Sequence, residues 1–199
     1  ELMAALASAL AERGVDVPLV IGNRNWTPYV ADTLGELTAS GVRRAVCVFT
    51  AAYASYSGCR QYREDLAGAD SPVELDKIPA YAETPGFVTA NADALVAALS
   101  RFGSDAARAR VLFVTHSIPE AMNLASGPGE PAWRYDAAHR RVAQRVAAEA
   151  SGALGFEPTW ELVFCSRSGA PHIPWLEPDI NDRLAELAAE GGTHVVAAP

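Results

Sequence analysis

The stretch Ala109-Arg110-Val111-Leu112-Phe113-Val114-Thr115-His116-Ser117-Ile118-Pro119 decides the fold that the sequence predicts. Its short run of valine, leucine and phenylalanine lies between two helical patterns, which is typical of a buried strand in a parallel sheet. The run ends in a histidine followed by a proline turn. Because ligands of such sheets bind at the carboxyl ends of the strands, we predict that His116 lies at a functional edge.

Strand and helix patterns alternate on both sides of this stretch. Strands are predicted at Val17–Ile21, at Arg44–Phe49, in the apolar run from Glu161 to Cys165 and in the final residues 193–199. Apolar residues recur at helical spacing in four segments, marked by Val30, Leu34 and Leu37; by Val88, Ala92, Leu95, Val96 and Leu99; by Val142, Val146 and Ala150; and by Ile180, Leu184 and Leu187. The order predicts an α/β protein whose parallel sheets are connected by right-handed crossovers.

The segment Asp70–Pro85 interrupts this alternation with turn-forming residues, and a new series begins with the strand at Val111. We therefore predict two similar Rossmann-like half-domains, residues 1–90 and 91–199, each with a parallel sheet flanked by helices, and an active-site cleft between them. The chain opens inside a helical pattern and closes on a strand. We expect it to be an internal segment, because functional loops of α/β proteins follow the strands.

Charge and hydropathy restrict the classes of partner. The 199 residues contain 16 Lys and Arg against 24 Asp and Glu, a net charge of −8, and no basic cluster stands out. This argues against nucleic acid or an anionic membrane as partner, because both require clustered positive charge. No apolar stretch approaches the roughly 20 residues that span a bilayer, and no signal-peptide pattern opens the chain. A cytoplasmic enzyme with a small-molecule ligand is expected.

Histidine changes its charge near neutral pH more readily than other side chains, so His116 is a candidate for proton transfer or metal binding. The alternative is that its ring donates to a backbone carbonyl and does no chemistry. The other histidines, His139, His172 and His194, fall on a polar helix face, in a proline-rich loop and near the final strand. We predict that these three are solvated or structural.

The three cysteines include no CxxC pair, so the sequence predicts neither a zinc site nor a disulfide framework. Cys47 lies inside an apolar run and is interpreted as a small core residue. Cys59 follows a strand in a loop of tyrosine, serine and glycine. We predict that this loop is exposed, a setting in which a thiolate can ligate a metal.

Five stretches carry a resemblance to a known family. They are residues 22–26 (Gly-Asn-Arg-Asn-Trp), 53–65 (Tyr-Ala-Ser-Tyr-Ser-Gly-Cys-Arg-Gln-Tyr-Arg-Glu-Asp) and 85–87 (Pro-Gly-Phe), the strand end at Thr115–Pro119, and the Ser166–Gly169 loop that leads to Pro174–Asp179. In them the chain resembles the ferrochelatase family, and within it the actinobacterial enzymes that insert iron into coproporphyrin III. The similarity runs through nearly all 199 residues in family order.

The resemblance implies a chelatase-type fold and a role for His116. Iron insertion removes two pyrrole protons while Fe²⁺ sheds its water, and a neutral imidazole near the ring centre can accept a proton or hold the metal. By resemblance His116 is that imidazole, and Fe²⁺ is a substrate. The acidic residue that faces the histidine is expected shortly after Pro199, outside this chain. No nucleotide is required.

The resemblance implies one porphyrin-binding residue, and side-chain chemistry offers two further candidates. Tyr62 matches the family tyrosine that contacts the porphyrin, where its phenol can donate to a propionate. Ser57 and Arg24 are further candidates for propionate contacts, since arginine pairs with carboxylates bidentately. The alternatives are that Tyr62 covers the start of a helix and that Arg24 forms a structural ion pair within its loop.

Family members with a 2Fe–2S cluster draw one ligand from the loop that contains Cys59 and three from a C-terminal extension. A cluster is therefore expected only in the intact protein, with Cys59 as one ligand; an unpaired surface thiol is the alternative. The expected partners are coproporphyrin III and ferrous iron, bound by a monomer. The alternatives are a chelatase for protoporphyrin or another tetrapyrrole, and a fragment that binds a tetrapyrrole without turnover.

Overall fold

The computed structural model describes residues 1–127 and 130–199. These residues divide into two compact units, the first formed by residues 1–50 and 57–79 and the second by residues 51–56 and 80–199. Each unit contains a parallel sheet with helices beside it. The predicted α/β class with parallel, helix-flanked sheets is confirmed.

The first unit is built from three helices and a two-stranded sheet. Its elements are α1 (Leu2–Ala11), α2 (Val30–Ala39), β1 (Arg44–Cys47), a π-helical turn at Tyr56–Arg60 whose first residue belongs to the second unit, α3 (Gln61–Gly68) and β2 (Glu74–Lys77). β1 pairs in parallel with β2, with Arg44 opposite Glu74 and Cys47 opposite Lys77. The helix predicted from Val30 and the strand predicted from Arg44 are both confirmed, although the strand ends two residues before the predicted Phe49.

The strand predicted at Val17–Ile21 is wrong, because residues 15–22 form no regular secondary structure. A strand is held by hydrogen bonds to a neighbouring strand, and β1 pairs only with β2 within the first unit as described. Val17 and Val20 are accordingly 53% and 51% exposed. The apolar pattern indicated a strand, but no described strand supplies its backbone partners.

The second unit contains a three-stranded parallel sheet in the order β4–β3–β5. Its elements are α4 (Pro85–Ser100), β3 (Arg110–His116), α5 (Glu120–Leu124), α6 (Tyr135–Leu154), β4 (Thr159–Cys165), α7 (Ile180–Ala189) and β5 (Val195–Ala198), with short 3-10 turns at Gly103–Arg108 and Pro131–Trp133. Every helix and strand predicted from this half of the sequence is present.

The central strand β3 is buried on both faces, which explains its continuous apolar sequence. Val111 packs with α4 and α6 on one face, whereas Leu112 packs with Val163 and Leu187 on the other. Val111, Leu112 and Val163 have no solvent exposure. The two clusters hold β3 between two helical layers, with His116 as its last residue.

The predicted half-domain boundary after residue 90 lies within α4, whereas the compact units divide after Pro79. The assignment of residues 1–90 and 91–199 to the two halves of a chelatase stays a prediction. No helix in the described ranges is both long and apolar enough to cross a membrane.

Candidate functional site at the carboxyl ends of β3 and β4

The second unit has a topological switch point at the carboxyl ends of β3 and β4. The chain leaves β3 toward α6, which packs on the Val111 face of the sheet, and leaves β4 toward α7, which packs on the Leu112 face. Loops that depart to opposite faces open a crevice between neighbouring strands, where α/β proteins bind ligands. His116 and Cys165 are register partners at this edge. The structure confirms that His116 ends a buried parallel strand.

The loops that follow β3 and β4 are tied to each other beside His116. The amide of Ser117 donates to the carbonyl of Cys165 at 2.7 Å, and its buried hydroxyl donates to the carbonyl of Leu176 at 2.8 Å. The amide of Leu176 donates in turn to the carbonyl of Ile118 at 3.0 Å. These bonds hold the backbone after His116, while the His116 side chain itself is exposed.

A polar cluster lies behind the strand end, on the face of β3 that packs against α6; its Thr115 and Tyr135 are buried and its His139 is half-buried. The Thr115 and Tyr135 hydroxyls are 2.6 Å apart, and Nε2 of His139 lies 3.2 Å from the Thr115 hydroxyl. The Tyr135 hydroxyl donates to the backbone carbonyl of His116 at 3.2 Å. Tyr53 stacks on the His139 ring with a centroid distance of 3.5 Å. The cluster connects the helix α6 to the residue that ends β3.

Burial dominates the electrostatics of this cluster. It lowers the pKa of His139 to about 3, although the Asp136 carboxylate opposes the shift. Burial also raises the pKa of the Tyr135 phenol, which the hydrogen bond with Thr115 partly offsets. Both side chains are therefore neutral near pH 7. Of the two roles predicted for His139, the structural one is observed, and a solvated position on a polar helix face is not.

The loop after β4 is shaped by a glycine and a tryptophan. Gly169 adopts φ of +86°, which favours glycine, and the Trp175 ring lies 3.6 Å from the position of an added β-carbon. Trp175 also forms a bridge with Pro119, which draws this loop to the turn after His116. In the described part of the chain, the buried indole N–H of Trp175 has no hydrogen-bond acceptor.

In the first unit, Arg24 and Tyr62 are brought together. The Arg24 guanidinium forms an ion pair with Asp65 of α3 and lies 5.1 Å from the centroid of the Tyr62 ring. Phe49 stacks on the same ring at 4.9 Å. The alternative predicted for Arg24, a structural ion pair, is present. The partner of Arg24 is Asp65 of α3, however, and not a residue of its own loop. Tyr62 lies near the beginning of α3, beside the ion pair.

Ser57 and Cys59 lie in the π-helical turn that leads into α3, so the loop predicted around Cys59 is wrong. Ser57 is exposed and Cys59 is half-buried. The sequence suggested a loop because serine and glycine favour turns. In the structure these residues instead continue into the helix that carries Tyr62.

The described residues do not fit a complete iron–sulfur cluster. Cys47, Cys59 and Cys165 are all free thiols, and burial raises the pKa of Cys47. Across residues 1–127 and 130–199, no group of three or more His, Cys, Asp and Glu side chains is arranged to hold a metal. Because such a cluster requires four ligands, Cys59 by itself cannot bind one.

The sequence predicts His116 at the strand end but not the polar cluster behind it. Tyr135 and His139 are four residues apart on α6, a spacing that places two side chains on one helix face, and this signal was available. Thr115 lies next to His116 in the quoted strand. Tyr53 carried no comparable signal, because it reaches the cluster from residues 51–56, which are distant in the sequence.

A model of the protein family described as Ferrochelatase matches residues 1–199. The chain belongs to the ferrochelatase family. His116, at the crevice between β3 and β4, is thus the strand-end histidine of a chain whose whole length matches that family. Ferrous iron and a porphyrin are the substrates that this family uses.

Three relatives show how far the similarity extends. The chain is 46% identical to the coproporphyrin III ferrochelatase of Streptomyces griseus over 210 residues, covering 100% of the chain and 56% of that protein. It is 45% identical to the coproporphyrin III ferrochelatase of Frankia alni, covering 98% and 52%, and 40% identical to the ferrochelatase of Rhodopirellula baltica, covering 94% and 51%. The chain spans about half the length of these relatives.

Proposed function

We propose that the intact protein containing this chain inserts ferrous iron into coproporphyrin III, as part of haem biosynthesis. The observation that carries this proposal is the exposed imidazole of His116 at the switch point of the second unit, in a chain that matches the ferrochelatase family throughout. The relatives named coproporphyrin III ferrochelatase support the choice of porphyrin.

His116 is proposed as the catalytic residue. In the balanced reaction, Fe²⁺ binds the ring nitrogens, the two pyrrole N–H bonds break and two protons leave. A neutral imidazole has one nitrogen lone pair, which serves either to accept a pyrrole proton or to hold the incoming Fe²⁺. Its position on a fixed backbone favours both roles, because a base must lie within hydrogen-bond reach of its proton. The acidic partner is proposed to lie outside this chain.

Tyr62, Ser57 and Arg24 are proposed to bind the porphyrin propionates. The Tyr62 ring contacts Phe49 and Arg24, which hold it in place. Its phenol hydroxyl is the polar group that can donate to a carboxylate. Arg24 is paired with Asp65, so a propionate would have to compete with this carboxylate or share the guanidinium with it. Tyr62 is therefore the stronger candidate of the two.

Three further parts of the proposal concern the intact protein. Cys59 is proposed as one ligand of a 2Fe–2S cluster whose other ligands lie outside this chain. The protein is proposed to act as a monomer, and to act in the cytoplasm. The support for the role of Cys59 is the resemblance to ferrochelatases that contain a cluster. The described residues themselves offer no complete cluster site.

The test is a metallation assay on the purified intact protein. Anaerobic Fe²⁺ is supplied with either coproporphyrin III or protoporphyrin IX, and the loss of the free-porphyrin absorption is followed. We expect turnover when Fe²⁺ and a porphyrin are both present, with a higher kcat/KM for coproporphyrin III than for protoporphyrin IX. A preference for protoporphyrin IX would contradict the assignment of coproporphyrin III as substrate. Tight porphyrin binding without metallation would show that the protein binds porphyrin but does not catalyse iron insertion.

A further inference from the structure

The polar cluster behind His116 has a defined direction of hydrogen bonding. Tyr135 has one hydroxyl proton, and it is donated to the carbonyl of His116. The bond between Tyr135 and Thr115, 2.6 Å long, must then be donated by Thr115. With the only hydroxyl proton of Thr115 used in this way, the 3.2 Å contact with His139 requires a proton on Nε2 of the imidazole.

The result is a chain of donors that runs from His139 Nε2–H to the Thr115 hydroxyl, then to the Tyr135 hydroxyl, and ends at the carbonyl of His116. Each hydroxyl accepts one bond and donates one. The burial that keeps His139 neutral is consistent with a ring that carries a single proton. A chain with one allowed direction polarises each bond in turn and disfavours other orientations of the hydroxyls.

Resting on the function proposed above, we propose that Tyr135 is a positioning residue for His116: its hydroxyl, oriented by Thr115 and His139, holds the His116 carbonyl and so fixes the backbone that carries the imidazole. Tyr135 is 8% exposed and Thr115 is 9% exposed, so both act from behind the strand and not on the substrate. The Ser117 bonds to Cys165 and Leu176 restrain the following residue.

This restraint matters because His116 ends a strand. β3 pairs with β4 over residues 110–116, and His116 lies opposite Cys165 at the end of this ladder. The Tyr135 hydroxyl supplies a hydrogen bond from a third element, the first residue of α6, to the residue whose imidazole must be held. Small misplacements of a catalytic group reduce rate strongly.

The first test is Tyr135→Phe in the intact protein, with Tyr81→Phe as the matched control. The phenylalanine keeps the ring contact with His139, which has a centroid distance of 4.4 Å, and removes only the hydroxyl. We expect kcat for iron insertion to fall about 3–10-fold with little change in KM for the porphyrin, since one neutral hydrogen bond is lost. Tyr81→Phe removes a hydroxyl from the same unit that takes no part in the hydrogen bonds among His139, Thr115, Tyr135 and His116, and it should leave kcat unchanged.

A second pair of variants tests the direction of the chain. Thr115→Val keeps the branched side chain and removes the hydroxyl that orients Tyr135, so kcat should fall as it does in Tyr135→Phe. Thr115→Ser retains the hydroxyl and should restore most of the activity. This pair also tests the proposal if Tyr135→Phe does not fold.

Two readouts separate positioning from a merely structural role. The imidazole NMR signals of His116 should shift or broaden in Tyr135→Phe but not in Tyr81→Phe, in protein without iron or porphyrin. In a His116→Ala background, adding Tyr135→Phe should cause no further loss of turnover, because the group that it positions is gone.

The outcomes distinguish this inference from the proposed function. If the wild type inserts no iron, the proposed function fails, and the NMR comparison still decides whether Tyr135 positions His116. If the wild type is active while Tyr135→Phe has wild-type kcat and unchanged His116 signals, the positioning role is wrong. An additive loss in the double variant, or equal losses in Tyr135→Phe and Tyr81→Phe, would also overturn it.

Discussion

The imidazole of His139, stacked on Tyr53 behind the strand end, predicts a specific dependence of stability on pH. In the unfolded chain this group titrates near its ordinary pKa of 6.5, whereas burial lowers the pKa to about 3 in the folded state. The unfolded state therefore binds the proton first as pH falls. The stability that His139 contributes is complete above pH 6.5 and is lost as the pH falls toward 3.

The magnitude follows from the two pKa values. Relative to pH 8, protonation of the unfolded chain alone lowers the free energy of unfolding by about 2 kcal/mol at pH 5 and by about 3 kcal/mol at pH 4. Two substitutions remove the titration: His139→Phe keeps an aromatic ring to stack on Tyr53, and His139→Gln keeps an N–H donor for Thr115. In both variants this part of the pH dependence should disappear.

The assay is urea unfolding followed by tryptophan fluorescence at pH 8, 6 and 5. Three of the four tryptophans, Trp133, Trp160 and Trp175, lie in the second unit with His139, so the signal reports mainly on that unit. The carboxylates contribute equally to wild type and variants, and the difference between them isolates His139. Parallel pH profiles for the wild type and both variants would refute the reasoning.

Three other variants, the first with a control, test the core, the porphyrin site and the iron–sulfur ligand. Leu112→Ala should lower the free energy of unfolding by about 2–5 kcal/mol, because it opens a cavity at a fully buried position, whereas the 56% exposed Leu124→Ala should change it by less than about 0.5 kcal/mol in the same denaturation experiment. Tyr62→Phe should weaken coproporphyrin III binding by about 1.5–3 kcal/mol in a fluorescence titration, and weaken protoporphyrin IX binding less; equal losses would assign the hydroxyl to the fold. Cys59→Ser should abolish the visible absorption of an iron–sulfur cluster in the intact protein, since a hydroxyl replaces a thiolate ligand poorly, and an unchanged spectrum would remove Cys59 from the ligand set.

The sequence predicted the second unit well because its strands are buried on both faces. A continuous apolar run such as Val111–Val114 has few alternatives to a central parallel strand, and the polar residues after it mark the functional edge. The sequence did not predict β2, because this strand lacks a continuous apolar run. Its sequence, Glu74–Lys77, is largely charged, and it forms a strand because β1 supplies backbone partners and Arg44 pairs with Asp76 at 2.5 Å.

At the site, too, the sequence predicts only what depends on contiguous residues. His116 was identified from local sequence, because the strand and its proline turn are contiguous. The position of His139 depends on Tyr53, which joins the second unit from a separate segment, and one helix face cannot show what packs against it. Val17–Ile21 shows the converse error, since an apolar pattern alone does not provide the hydrogen-bonding neighbour that a strand requires.

The most direct test of the proposed function is iron insertion by His116→Ala in the intact protein. His172→Ala, at an exposed histidine in the loop after β4, is the matched control. We predict that kcat/KM for Fe²⁺ insertion into coproporphyrin III falls by at least about 10²-fold in His116→Ala, the scale for loss of a general base, with an unchanged circular dichroism spectrum. The control should retain wild-type turnover. Near-normal turnover by a folded His116→Ala protein would contradict the assignment of this histidine as the catalytic residue.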